Sequence, residues 1–170
     1  RRARRREREQ GARRTAEQSP VRSTPSIEPT SGRFRVVGDG TVIDTRTGLQ
    51  WASQDNGSSI DWAGAVRHAA NLSLGGHSDW RLPTQAELWS LYLAGQASGA
   101  GYHPDCVWFS PIGATVMPPR EIRFSCSWMW ASEAQGERAA YVDFHGNGTR
   151  GMTRKSDSFA TRALPVRTAR

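Results

Sequence analysis

The sequence is short of several things that would each point to a class of protein. It holds only two cysteines, Cys106 and Cys126, and a single lysine, Lys155. The cysteines lie twenty residues apart with no second ligand pair nearby, so no zinc site is expected. The four histidines, His68, His77, His103 and His145, are scattered without metal-ligand spacing. There is no Walker loop, no G-x-S-x-G elbow and no cysteine beside a credible base. No metal, cofactor or catalytic residue is therefore expected. No apolar run could span a bilayer, and no signal-peptide core is readable; an anchor or export signal, if the protein has one, is expected before Arg1. With 36% hydrophobic, 23% charged and 9% aromatic residues, seven of them Trp, the composition excludes collagen, coiled coil and a multi-span membrane protein.

What is present divides sharply at about residue 33. Residues 1–35 hold eleven Arg against four Glu, which accounts for the whole net charge of +7. The remaining 135 residues carry twelve positive and twelve negative side chains. Residues 1–32 contain no Trp, Phe, Tyr or Leu, too little apolar surface to offset chain entropy, and read as a disordered linker. The Arg1–Arg8 cluster offers polyanions or anionic lipid only nonspecific attraction, and no specific nucleic-acid partner is expected. Residues 33–170 have a globular composition.

Hydrophobic periodicity gives the body an α+β class. Arg33–Val37 and Thr41–Asp44 flank a Gly-Asp-Gly turn, and Gly48–Ser53 adds a short strand. Asp61 caps a helix expected to reach about Leu74, burying Trp62, Val66 and Ala69, with Gly75-Gly76 as its end. Thr84-Gln-Ala-Glu87 is a capping box, with Leu88, Leu91 and Tyr92 on the buried face. Residues 95–127 are irregular and long enough to be a functional loop region. Trp128–Ser132, Arg138–Phe144 and Thr161–Val166 read as strands. Cys106 and Cys126 would pair in an exported protein and be buried thiols in a cytosolic one; pairing is favoured.

Together Gly40-Thr-Val-Ile-Asp44, Thr47-Gly-Leu-Gln-Trp51, Asp79-Trp-Arg-Leu-Pro-Thr84 with Glu87-Leu88, Trp130-Ala-Ser-Glu133, Tyr141-Val-Asp-Phe144 and Leu164-Pro-Val-Arg167 carry a resemblance. Over roughly residues 36–168 the chain resembles the DUF1566 family, which includes the C-terminal domain of a Legionella collagen-like adhesin. The resemblance implies a C-type-lectin-like fold with paired first and last strands, small antiparallel sheets and long loops. It also implies an exported or surface-bound setting, and the adhesin member is associated with sulfated polysaccharide. Many relatives have a Cys in the first helix where this chain has Arg67-His68-Ala69. The calcium-ligand patterns of lectins are absent.

These readings set the functional expectations. Asp79, Trp80, Arg81, Pro83, Thr84 and Glu87 form a structural motif, with Arg81 pairing Asp79 or holding backbone carbonyls. Trp51, Trp62, Trp89, Trp128 and Trp130 are mostly core. Candidate ligand-binding residues are Trp108, whose face could stack on a sugar, and Arg120, Arg123, Arg150 and Arg154, which with Lys155 would form a cationic patch if they converge. Ser125, Ser127 and Ser132 look ordinary. The expected function is a non-enzymatic extracytoplasmic recognition or adhesion module for a polysaccharide or other extracellular ligand. The alternatives are a formylglycine-generating-type enzyme, which needs Cys106 and Cys126 as reactive thiols, and a structural or sensory appendage of a larger membrane-anchored protein.

Overall fold

The computed structural model describes residues 32–99, 101–102, 104, 106 and 115–170. Eight strands among them form two four-stranded sheets. β1 (Phe34–Val36), β2 (Thr41–Asp44), β3 (Leu49–Ala52) and β8 (Val166–Thr168) lie in the order β1-β2-β3-β8, all antiparallel. The second sheet has the order β6-β5-β4-β7, from β4 (Trp128–Gln135), β5 (Arg138–Asp143), β6 (Thr149–Arg154) and β7 (Thr161–Arg162). Its β4 and β7 run parallel, so the sheets are not both antiparallel as expected. The last strand pairs with β3 rather than β1, which corrects the implied first-to-last pairing. The segment Thr161–Val166 is two strands in different sheets. Pro165 lacks a donor for a continued ladder, and the chain crosses between the sheets over Ala163–Pro165.

Two helices cover opposite faces of the second sheet. Alternation along β4 and β5 sends Met129, Ala131, Ala140 and Val142 into the larger core, with Leu88, Leu91 and Tyr92 of α2 (Gln85–Ser98) and with Val42 and Trp51 of the first sheet. Trp130 and Ala139 face the other way, onto Ala65 and Ala69 of α1 (Trp62–Ala70). Each large side chain buried in this way contributes roughly 1.5–3 kcal/mol.

Asp61 caps α1, accepting from the Gly64 amide at 2.7 Å. The helix stops at Ala70 with Asn71 as its C-cap, four residues short of the expected end. Gly75 and Gly76, both at positive φ, instead turn the chain so that Leu74 and His77 pair. Val66 is 37% exposed, because α1 rests on its small residues rather than on its β-branched one. Trp62, Trp89 and Trp128 are half-buried, whereas Trp51, Trp80 and Trp130 are buried. No described helix is long and apolar enough to cross a membrane.

Candidate functional site

Leaving β3, the chain runs alongside residues 123–125. The Arg123 amide donates to the Ser53 carbonyl at 2.8 Å, and Gln54 and Arg123 form a parallel bridge. This pairing lays Asp55 under Ser125. The Asp55 carboxylate accepts from the Ser125 amide (2.6 Å), the Ser125 hydroxyl (2.7 Å) and the Gly57 amide (2.8 Å). Ser125 Oγ in turn accepts from Arg162 Nε at 2.7 Å, so a hydroxyl relays between a buried carboxylate and a buried guanidinium. Arg162 Nη1 donates to the Thr161 carbonyl (3.0 Å) and Ser59 Oγ (3.2 Å). Its Nη2 donates to no described residue. Burial draws the Arg162 guanidinium down from its usual range, and the charge of Asp55 works against that.

Asp55, Gly57, Ser125 and Arg162 form part of the wall of an open hollow of about 750 Å³, together with Asn56, Tyr102, Cys106, Arg123 and Phe124. The Arg123 guanidinium lies over the Tyr102 ring, 5.6 Å from its centroid. Tyr102 is fixed by its hydroxyl, which donates to the Phe124 carbonyl at 2.9 Å and accepts from the Phe124 amide. Burial raises the Tyr102 hydroxyl pKa, so it stays a neutral phenol near pH 7. A disulfide joins Cys106 in the wall to buried Cys126, with Cα atoms 5.5 Å apart. Closing a loop of this length is worth about 3 kcal/mol.

The arginines singled out in the sequence occupy separate features. Only Arg123 lines the hollow. Arg120 lies in a groove beside α2 with Arg33, Phe34, Leu93 and Glu121. Arg150 caps the Trp89 ring at 4.4 Å, and Trp89 stacks on Tyr92. The Arg154 amide donates to Asp157, and Lys155 covers Trp62 at 4.8 Å. Trp108 lies outside the described residues. Among the described residues no group of three or more His, Cys, Asp or Glu could hold a metal ion.

Contacts of the Asp79–Glu87 segment are internal. Asp79 accepts from Arg167 Nε at 2.6 Å, not from Arg81. Arg81 instead grips both Glu87 oxygens at 2.8 Å and the Leu82 carbonyl at 3.1 Å. Trp80 Nε1 reaches the His77 carbonyl at 3.1 Å, and the Pro83 carbonyl accepts from Ser132. The Thr84–Glu87 capping box is formed on both sides. Sequence reading missed Asp55, Ser125 and Arg162. Asp55-Asn-Gly57 is a legible turn signal, but nothing local marks Ser125 or Arg162 as its partners.

The model of the Lcl C-terminal domain family matches residues 40–167, 128 of the 170 residues, and the chain belongs to that family. No curated protein matches it.

Proposed function

We propose that this member of the Lcl C-terminal domain family is a non-enzymatic, extracytoplasmic recognition module of the adhesin type. In this reading residues 1–32 display the domain, and a polysaccharide or other extracellular ligand enters the hollow beside the disulfide. The observation that carries the reading is the hollow itself: open, polar, built from backbone and side chains of distant segments, and braced by a disulfide. Such a cavity, with a few fixed polar groups around aromatic faces, suits ligand binding. The family adds the adhesin context. Two sheets and two helices are in keeping with a C-type-lectin-like fold, although the last strand sits beside β3.

Several features favour binding over catalysis. Three protein donors occupy Asp55, and the Tyr102 hydroxyl is engaged by the Phe124 carbonyl and amide, so both groups are committed to structural hydrogen bonds. A formylglycine-generating-type enzyme would need reactive thiols at Cys106 and Cys126, and these sulfurs are bonded to each other.

Titration of the full chain and of Arg123→Ala and Arg120→Ala variants against sulfated and neutral polysaccharides, across a salt series, tests the proposal. We expect saturable binding that survives physiological salt and weakens severalfold in Arg123→Ala but not in Arg120→Ala. Binding that vanishes with salt and ignores both variants would assign the interaction to the basic tail and overturn the reading.

A further inference from the structure

We infer that Arg162 is the principal binding residue of the hollow, and that it takes a single oxyanion, a carboxylate or a sulfate ester, with Arg123 as the second cation. The inference deepens the recognition reading by naming the chemistry of the ligand and the residue that meets it.

A guanidinium withdrawn from water is costly unless an anion compensates it. Arg167, the other buried arginine among the described residues, obeys this rule directly, with Asp79 at 2.6 Å. Arg33 likewise meets Asp44 at 2.6 Å. Arg162 is only 6% exposed, yet it has no carboxylate within ion-pair distance among the described residues. Its link to Asp55 passes through the Ser125 hydroxyl, and Asp55 already accepts three protein hydrogen bonds. Among the described residues one guanidinium nitrogen, Nη2, has no acceptor, and Arg162 lines a cavity large enough for a monosaccharide unit. The described lining residues carry two guanidinium groups and one carboxylate, a surplus of one positive charge among them. A neutral hydroxyl could accept the spare N–H, but only an anion also compensates the charge of the buried guanidinium. Ser125 and Ser59 hold Arg162 in place beforehand, which reduces the ordering cost of binding.

Titrating the full chain with glucuronate, glucose 6-sulfate and glucose at physiological salt tests this, by following the arginine Nε–H resonances and the affinity. Glucuronate or the sulfate ester should shift the Arg162 signal saturably, glucose should not, and the tighter of the two acids identifies the source of the anion. Arg162→Lys should weaken binding about tenfold or more and Arg123→Ala about threefold. If Arg162→Lys fails to fold, the wild-type Nε–H response and Arg123→Ala decide the matter. Absence of a saturable shift with either acid, or unchanged affinity in the variants, overturns the inference. Polysaccharide binding that persists unchanged in both variants would overturn only the role of Arg162. Acids that shift Arg162 with no polysaccharide bound would overturn only the recognition reading.

Discussion

Thr84 and Glu87 satisfy each other at the start of α2. The Thr84 hydroxyl accepts from the Glu87 amide at 3.1 Å, and the Glu87 carboxylate accepts from the Thr84 amide at 2.8 Å while holding Arg81. Removing the hydroxyl strands one of the first amide donors of the helix. Thr84→Ala should therefore cost about 1 kcal/mol in urea unfolding, and Thr84→Ser should recover most of it. A variant as stable as the parent would show that Glu87 and Arg81 hold the helix start alone. This box is legible in the sequence because its members are three residues apart. Contacts of longer reach are not: Asp79 meets Arg167 across 88 positions, Asp55 meets Ser125 across 70, and Ser125 meets Arg162 across 37. A nearby arginine, Arg81, offered a plausible but incorrect partner for Asp79. The heart of the candidate site was hidden for the same reason, whereas Arg123 stood out by charge alone.

Gly95 shows how an element is placed by what it cannot carry. Glycine inside a helix is less favourable than alanine by up to about 1 kcal/mol, yet a Cβ here would lie 1.8 Å from the Met117 carbonyl oxygen. The close approach lets α2 seat against the 117–118 backbone, where the Met117 amide donates to the Phe144 carbonyl just past β5. Gly95→Ala should lower the melting temperature, with a net loss of about 1–3 kcal/mol from overpacking. A raised melting temperature would mean that the 117–118 backbone moves aside at little cost. Elements with a strong local signal were legible: the β1–β2 hairpin, β3, both helix starts, β4 and β5. Strand β6 was not legible, because Thr149–Arg154 carries a single large apolar residue, Met152. Element ends and sheet membership were not. The glycine pair that looked like a helix stop serves a separate turn, and the division of Thr161–Val166 depends on which sheet is adjacent when the chain arrives.

On the scale of the whole molecule, the folded body is electrically balanced, so its pH response comes from individual carboxylates rather than from net charge. Burial pushes Asp44 upward, but hydrogen bonds from Arg33, Thr47 and Arg46 outweigh it and hold the carboxyl below its usual value. Glu87 follows the same pattern, burial being outweighed by Arg81 and the Thr84 cap. A carboxyl depressed in the folded state stabilises above its unfolded pKa, and that stability is lost as pH falls through the folded value. Asp143 acts in the opposite sense. Burial raises it, so its contribution is full at low pH and is lost as pH rises through its folded value. The depressed carboxyls of Asp44, Glu87 and Asp79 predict weakening in acid, setting in below about pH 5 as the ordinary carboxylate range is crossed, with Asp143 opposing it. Urea midpoints measured from about pH 7 to pH 3 should fall steadily for the parent. Asp44→Asn removes one of the depressed groups and leaves Arg33 without its carboxylate partner. It should start lower at neutral pH and lose less on acidification, so that the two curves converge. Parallel curves would show that the Arg33–Asp44 pair joining β1 to β2 does not carry the acid response, and would shift it to Glu87 at the start of α2 and to Asp79 beside Arg167.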